Sequence, residues 1–339
     1  MIRVLLVEVN ATARRRLEEL FAVTRDFVVV ASVGTGAEAI QAAKRFRPDL
    51  VSLDAALTDP SPAQVVRELV ATRPVPVVLL SDVPESTAEV FEALTAGALD
   101  FVRRPQEGDP RSAVLMLETF RALNRVKVQR RFKRTERKQA VSLAQVIVIA
   151  SSTGGPAPLQ ILLSALPADF SAPLVIAQHL TPGFEQGLAM WLAHSSRIDV
   201  QLARSREVLL AGVALLAPPD SDAVIVSHSV LELRPAEPGG FHPSADELFE
   251  SAASVFGPGT LAVVLSGIGQ GGAEGARAVV AAGGRVFSQD RASSAVFGMP
   301  GEVARRGLAS VVAAPEGLAK AICDVVGPCE LKHEGSGRL

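Results

Sequence analysis

The stretch VIVIASSTGGP at residues 146–156 decides how the second half of this chain folds. Its four consecutive β-branched residues predict a buried parallel strand. A Ser/Thr/Gly turn follows, and a helical pattern begins near Pro156, in the first turn of a helix where proline is tolerated. A hydroxyl on such a turn lies at the carboxyl edge of the sheet, beside the free N–H groups of a helix start. The turn therefore indicates either a serine nucleophile or an anion-binding or purely structural turn.

The composition indicates an α/β protein with two domains. The chain has 339 residues, of which 48% are hydrophobic and 4% aromatic, and this length allows two separate cores. A net charge of −2 argues against a nucleic-acid or membrane-surface protein. The two cysteines, Cys323 and Cys329, make no disulfide framework and fit a reducing compartment. Because a strand pattern begins at Met1 and no apolar run reaches the roughly 20 residues of a membrane span, we expect a cytoplasmic protein without a signal peptide.

Residues 1–120 alternate five strand patterns with five helix patterns. This alternation predicts right-handed crossovers and a parallel sheet covered by helices on both faces. The chemistry of such a sheet lies at the carboxyl ends of its strands, where this half has Glu8, Asp54, Ser81 and Arg104. Two acids, a hydroxyl and a cation at one edge suit a phosphoryl site, and solvated polar strand ends are the alternative.

This half resembles a two-component receiver domain, which is a flavodoxin-like, doubly wound sheet of five parallel strands. The resemblance implies that Asp54 is the phosphoacceptor, Ser81 the switch hydroxyl and Arg104 the counterpart of the family's lysine. It also implies Mg²⁺ binding by Glu8 and Asp54, but Val9 stands where the family has a second adjacent acid. Since valine cannot bind a metal, we expect a weak Mg²⁺ site. Asp54 is then either phosphorylated or part of a pseudo-receiver that docks without this chemistry.

The rest of the chain divides into a linker, a second domain and a tail. Residues 121–143 are strongly basic and predict an exposed linker in preference to a nucleic-acid-binding patch. Residues 328–339 predict a flexible tail. Residues 144–327 form a second α/β array with these strand patterns: Val146–Ala150, Pro173–Ala177, Val213–Leu216, Ala223–Val226, Val230–Leu233, Leu261–Leu265, Arg285–Phe287 and Ser310–Ala313.

Ser152 and His179 each follow a buried strand of this second array at its carboxyl end. Consecutive strands are usually neighbours, so we expect the two side chains to meet. A serine nucleophile needs a base within hydrogen-bond reach, and histidine suits that role near neutral pH. A histidine that only supports the structure is the alternative.

Residues 144–327 resemble the catalytic domain of the CheB family, the chemotaxis receptor methylesterases and glutamine deamidases. A receiver joined by a linker to this domain is that family's layout. His242 stands where one family motif has arginine. The motifs that carry the resemblance are ASSTGG at 150–155, AQH at 177–179, HPSAD at 242–246 and ASSAVFGMP at 292–300.

The resemblance implies a doubly wound α/β methylesterase domain that needs no cofactor for its reaction. Ser152 would be the nucleophile and His179 the base, and backbone N–H groups at Thr153, Gly154 and Gly155 would hold the oxyanion. The implied partners are the cytoplasmic helices of methyl-accepting chemoreceptors and a histidine kinase that acts as phosphodonor. No nucleic acid and no membrane insertion are expected.

One departure from the family concerns the catalytic triad. The family's aspartate lies in a TGMGNDG loop, which here reads SGIGQGG at 266–272, so that Gly271 takes its place. The imidazole thereby loses the carboxylate that orients it and stabilises its charge. Gln270 and Asp290 are the candidate substitutes for orienting His179. We therefore predict a methylesterase of reduced activity, and the alternative is a catalytically impaired scaffold that binds receptors or a kinase without efficient turnover.

Overall fold

The computed structural model describes residues 1–72, 74–82, 87–106, 110–124, 144–237 and 240–326. Most of the predicted linker and the whole predicted tail lie outside these ranges. Among the helices of the described ranges, none combines the length and hydropathy that crossing a bilayer requires.

The first domain is built on a parallel sheet with the strand order β2-β1-β3-β4-β5. Along β1, Leu5 and Val7 pack into one apolar cluster while Val4 and Leu6 pack into another on the opposite face. Both faces are therefore covered, as the near-continuous apolar strand sequences predict. The strands are β1 (Ile2–Val7), β2 (Phe27–Val33), β3 (Leu50–Asp54), β4 (Val77–Ser81) and β5 (Asp100–Arg103).

Five helices cover this sheet, among the residues that the structure describes. Helix starts carry the expected caps: the Asn10 side chain accepts hydrogen bonds from the backbone N–H groups of Thr12 and Ala13, two donors that lack partners within the helix. The helices are α1 (Ala11–Ala22), α2 (Gly36–Phe46), α3 (Pro62–Thr72), α4 (Thr87–Thr95) and α5 (Pro110–Asn124).

The second domain has a larger parallel sheet with the order β15-β14-β13-β6-β7-β10-β8, and a small antiparallel sheet with the order β11-β12-β9. Two of these strands, β8 and β9, are short and were not predicted. The strands are β6 (Val146–Ser151), β7 (Leu174–Gln178), β8 (Asp199–Leu202), β9 (Glu207–Val208), β10 (Val213–Leu216), β11 (Ser221–Ser227), β12 (Val230–Pro235), β13 (Thr260–Val264), β14 (Arg285–Gln289) and β15 (Val311–Ala313).

The larger sheet is also doubly wound. Ile147 and Ile149 of β6 pack into one apolar cluster, and Val146 and Val148 pack into a second cluster on the other face. The two-domain α/β prediction is thus confirmed. The helices are α6 (Pro156–Ser164), α7 (Glu185–Ser195), α8 (Ala245–Phe256), α9 (Ala273–Ala281), α10 (Met299–Arg305) and α11 (Pro315–Val326).

Aromatic contacts join the two domains. The rings of Phe91 on α4 and Trp191 on α7 are stacked with their centroids 5.0 Å apart. The rings of Phe101 on β5 and Phe184, which precedes α7, lie 4.8 Å apart. These contacts hold α4 and β5 of the first domain against α7 and the residue before it in the second domain.

Candidate active site and receiver site

Ser152 and His179 follow adjacent strands and face each other. β6 and β7 pair in parallel with Ser151 opposite Gln178, and the backbone N–H of His179 donates to the carbonyl of Ser151 at 3.0 Å. The Ser152 Oγ lies 3.1 Å from His179 Nδ1. A hydroxyl and an imidazole nitrogen at this distance share a proton, which is the first requirement for nucleophilic catalysis.

The buried amide of Gln178 fixes the geometry of this pair. Its oxygen accepts a hydrogen bond from the Ser151 hydroxyl. Its nitrogen donates to the carbonyl of Ser152 at 3.0 Å and to that of His179 at 2.7 Å. Gln178 lies in the AQH motif at 177–179, but this structural role was not predicted from the sequence. The signal was its position between an apolar strand and the histidine, where a polar residue needs partners.

Glycines let other loops approach the nucleophile closely. Gly154 has φ +71°, and a Cβ on it would lie 2.5 Å from the Cβ of Ala295. A Cβ on Gly267 would lie 2.9 Å from the Cβ of Ser152. The Ser266 hydroxyl links the loops, because it donates to the carbonyl of Thr153 at 2.8 Å and accepts from the N–H of Val296 at 2.9 Å. The family signature at 292–300 therefore packs directly on the nucleophile turn.

No carboxylate among the described residues hydrogen-bonds to the imidazole of His179. Gly271 lies beside the ring, and a Cβ on it would be 3.8 Å from His179 Cε1. Gln270 is exposed, and the Asp290 carboxylate accepts hydrogen bonds from the N–H and hydroxyl of Ser293, both at 2.8 Å. The structure thus brings neither candidate orienter to the imidazole.

The contacts of the ring come instead from the segment before α8. The Phe241 ring stacks on His179 with a centroid distance of 5.7 Å, and the Pro243 carbonyl accepts a hydrogen bond from the imidazole. Burial lowers the pKa of His179 to about 4, and the Pro243 carbonyl opposes this lowering. The imidazole is therefore neutral at pH 7 and able to accept a proton.

The first domain reaches the predicted oxyanion donors. The N–H of Gly155 donates to the carbonyl of Ser152 at 2.8 Å. The N–H of Gly154 and the hydroxyl of Thr153 hydrogen-bond to the carboxyl group of Asp100, which begins β5. Burial raises the pKa of Asp100 to about 7. Sequence reasoning missed Asp100, because no local pattern marks a residue that contacts another domain.

The four receiver residues meet at the carboxyl edge of the first sheet. Glu8 and Asp54 are buried, and Arg104 contacts both: Nη1 lies 3.1 Å from Glu8 Oε1 and Nη2 lies 2.9 Å from Asp54 Oδ1. Ser81 ends the neighbouring strand, and its carbonyl accepts from the N–H of Arg104 at 3.0 Å. Burial, followed by the charge of Asp54, raises the pKa of Glu8 to about 8.

These residues fit Mg²⁺ poorly. The guanidinium of Arg104 already binds one oxygen of each acid, and the second Asp54 oxygen accepts from the N–H of Val9 at 3.1 Å. Glu8 Oε2 is buried without a hydrogen-bond partner among the described residues. Magnesium prefers a near-octahedral shell of oxygens, and in the described part of the chain no three acids, histidines or cysteines group around one point. The expected weak Mg²⁺ site stays a prediction.

Comparisons with known proteins identify the family. The sequence model described as CheB methylesterase matches residues 147–322, and the model described as response regulator receiver domain matches residues 4–113. Protein-glutamate methylesterase/protein-glutamine glutaminase 4 of Myxococcus xanthus is 38% identical over 93% of this chain and 94% of its own. The protein of this description numbered 3 in Anaeromyxobacter dehalogenans is 37% identical over 94% of this chain and 97% of its own.

A solved structure agrees with these relatives. The Thermotoga maritima CheB methylesterase catalytic domain superimposes with a TM-score of 0.51 at 33% identity, covering 53% of this chain and 97% of that one. The fold and these comparisons define a doubly wound α/β domain of the methylesterase type joined to a receiver. The chain belongs to the CheB methylesterase family and has the family's amino-terminal receiver domain, which confirms the prediction.

Proposed function

We propose that the protein hydrolyses methyl esters of glutamate side chains on chemoreceptor helices, and deamidates glutamine at the same site, with Ser152 as nucleophile. The relatives' names state both activities. The observation that carries the proposal is the 3.1 Å separation of Ser152 Oγ and His179 Nδ1. This pair supplies the nucleophile and the base that attack on an ester carbon requires.

Proton transfer and bond making proceed in two stages. The Ser152 oxygen attacks the ester carbonyl carbon while its proton moves to His179 Nδ1. The backbone N–H groups of Thr153 and Gly154 stabilise the oxyanion that forms, whereas the N–H of Gly155 is already bonded to the carbonyl of Ser152. Collapse of the tetrahedral intermediate breaks the bond to the methoxy group, which leaves as methanol with the proton from His179. Water, deprotonated by His179, then attacks the acyl-serine, releasing glutamate and restoring the hydroxyl.

The receiver covers this site in the unphosphorylated protein. Its Asp100 holds the Gly154 N–H and the Thr153 hydroxyl, so an oxyanion cannot use that N–H while the domains are docked. A histidine kinase would phosphorylate Asp54, and the added charge would disturb the Arg104 contacts that tie Asp54 to Glu8. The end of β5, next to Arg104, would transmit the change to Asp100. Arg104 supplies positive charge beside Asp54.

The catalytic proposal is tested by methanol release from methylated receptor. Wild type is compared with Ser152→Ala and with Ser310→Ala, which removes an exposed hydroxyl far from the site. We expect Ser152→Ala to lose about a thousandfold or more of the rate, and Ser310→Ala to match wild type. Equal rates for Ser152→Ala and wild type, or no release by wild type, would overturn the proposal and favour a non-catalytic scaffold.

The receiver proposal has its own test. Incubation with acetyl phosphate should label wild type but not Asp54→Asn, because only the carboxylate accepts the phosphoryl group. Asp26→Asn, which changes an exposed carboxylate of the same domain, is the matched control and should label normally. Labelling of Asp54→Asn, or no labelling of wild type, would contradict phosphorylation at Asp54 and indicate a pseudo-receiver.

A further inference from the structure

The imidazole of His179 is held by the segment Phe241–Ser244 rather than by an acid. Phe241 stacks on one face of the ring, and the Pro243 carbonyl accepts a hydrogen bond from it. Since Nδ1 faces the Ser152 hydroxyl, Nε2 is the nitrogen left to donate to that carbonyl. The position of this segment therefore sets both the orientation and the tautomer of the catalytic base.

Asp222 anchors the segment. This carboxylate on β11 is only 3% exposed, and both of its oxygens lie 2.9 Å from His242 Nδ1. It also accepts a hydrogen bond from the backbone N–H of Ser244. Asp222 thus binds the residue on each side of Pro243, and the carbonyl between them has little freedom to move.

His242 is bonded as an imidazolium. Its Nδ1 faces the Asp222 carboxylate, and its Nε2 lies 2.8 Å from the carbonyl oxygen of Glu237. Both partners only accept hydrogen bonds, so both ring nitrogens must donate, and a histidine that donates twice is charged. The two side chains therefore form a charged histidine–aspartate pair, at the position where the family motif has arginine.

The other polar groups near the imidazole of His179 either bind other partners or are exposed. Asp246 accepts from the N–H of Gly275 at 2.8 Å and so holds the start of α9. Asp290 is bonded to Ser293, and Gln270 is exposed. Of the described side chains near the imidazole, Asp222 and His242 are those whose contacts lead directly to the segment that touches it.

We propose that Asp222 and His242 are positioning residues that replace the absent triad carboxylate by clamping the Pro243 carbonyl against the imidazole of His179. The proposal rests on the proposed function of Ser152 and His179. The pair acts through the backbone and touches no reacting atom. A neutral carbonyl orients the ring but gives less charge stabilisation to the imidazolium than an aspartate would.

The clamp depends on pH. The Asp222 carboxylate raises the pKa of His242 above its ordinary value. The Asp222–His242 ion pair is therefore fully formed at pH values below the ordinary histidine pKa, and it is lost as the pH rises through the raised pKa of His242. The other charged or titratable groups near the pair are Glu247 on α8, His179 itself and Arg234, directly opposite Asp222 on β12. We expect wild-type activity to decline on the alkaline side.

The test compares full-length wild type with Asp222→Asn, His242→Gln and His242→Arg. Asp222→Asn and His242→Gln should lower kcat about tenfold to a hundredfold and change KM by about twofold or less. His242→Arg should keep kcat within about threefold of wild type and extend the alkaline limit by about one pH unit or more. Loss of activity in His242→Arg equal to that in His242→Gln would overturn the clamp.

A second background separates positioning from general structural damage. Gly271→Asp supplies a carboxylate to the imidazole, so Asp222→Asn should cost about threefold or less there, compared with at least about tenfold in wild type. An equal loss in both backgrounds would overturn the proposal, because it would mean that Asp222 supports only the fold.

A readout without turnover keeps this test distinct from that of the esterase. Nitrogen-15 spectra of the imidazoles should show His179 as the Nε2–H tautomer in wild type and a mixture of tautomers in Asp222→Asn. An unchanged tautomer in Asp222→Asn would refute the clamp even if Ser152 were catalytic. A changed tautomer in a protein that releases no methanol would support the clamp and refute only the esterase.

Discussion

By the resemblance to the family, each of the two sheet edges of this protein lacks one carboxylate, at Val9 and at Gly271, and the structure surrounds these two positions differently. In the receiver, Val9 replaces an acid, and Arg104 binds the two acids that remain. In the esterase domain, Gly271 replaces an acid beside the imidazole of His179. No carboxylate of the described residues hydrogen-bonds to that ring, and Asp222 and Asp246 act on it through their charge alone. One site holds its acids through a charged guanidinium, and the other holds its imidazole through ring stacking and a backbone carbonyl.

The difference teaches what each carboxylate is for. The acids of the receiver site balance positive charge. When one acid is absent, the nearby guanidinium of Arg104 can pair with the acids that remain. The triad acid balances a charge that exists only while His179 is protonated, and a carbonyl can orient the ring without balancing that charge. The receiver change therefore concerns metal affinity, and the esterase change concerns rate.

Restoring the esterase carboxylate should have the largest effect. Gly271→Asp introduces a Cβ at ordinary contact distances of 3.8 Å from His179 Cε1 and 3.9 Å from Met299 Cε, so the loop has room for it. We expect kcat for methanol release to rise about a hundredfold, since a triad aspartate stabilises the imidazolium. Gly271→Asn is the matched uncharged control and should gain far less. If Gly271→Asp does not raise kcat, the charge of the His179 imidazolium is already sufficiently stabilised without an aspartate.

Removing the contact between the two sites should have the next largest effect. Asp100→Ala deletes the carboxyl group that holds Gly154 and Thr153, so basal methanol release by the unphosphorylated protein should rise about tenfold, the equivalent of one or two hydrogen bonds. Asp26→Ala, at an exposed receiver carboxylate, should leave the rate unchanged. A lower rate in Asp100→Ala would show that the contact assembles the turn rather than blocks it.

Restoring the receiver carboxylate should have a smaller effect. Val9 is half exposed, so Val9→Asp fits without repacking and should increase Mg²⁺ affinity, measured by calorimetry, about threefold. Val9→Asn, similar in shape but uncharged, should bind more weakly than Val9→Asp. If Val9→Asp binds Mg²⁺ no more tightly than wild type, the affinity is limited by Arg104 and not by the missing acid.

The smallest effect concerns the acid side of the pH profile. A base must be neutral to work, so kcat/KM for methanol release should fall as the pH drops through the pKa of His179, near about 4. In Gly271→Asp the new carboxylate favours the imidazolium, and the fall should begin about one unit higher or more. Circular dichroism at each pH excludes unfolding. A wild-type midpoint at the ordinary histidine value would contradict the burial argument.

The local sequence was enough to predict most of the fold, and it also predicted the pairing of Ser152 with His179. The stretches LVSL at 50–53 and VIVIA at 146–150 are mostly apolar and predict buried parallel strands, and both strands are observed. Ser152 and His179 were paired correctly because consecutive strands tend to be neighbours. β8 was missed, since only one of its four residues is buried.

The remaining contacts could not be predicted from the sequence, and the reason is physical. Asp222 meets His242 across 20 residues, and Asp100 meets Gly154 across a domain boundary. Neither pair leaves a periodic pattern, because each depends on how separate elements pack. Asp290 looked equally suitable as an orienter, yet its carboxylate is bound within its own turn.

The aromatic contact between α4 and α7 gives the molecule a built-in optical reporter. The chain contains one tryptophan and no tyrosine, and that tryptophan, Trp191, is stacked on Phe91 of the receiver. Its near-ultraviolet emission therefore comes from a single place, the seam between regulator and enzyme. Water reaching the indole as the seam opens would shift the emission to longer wavelength, so activation can be followed in real time without a label.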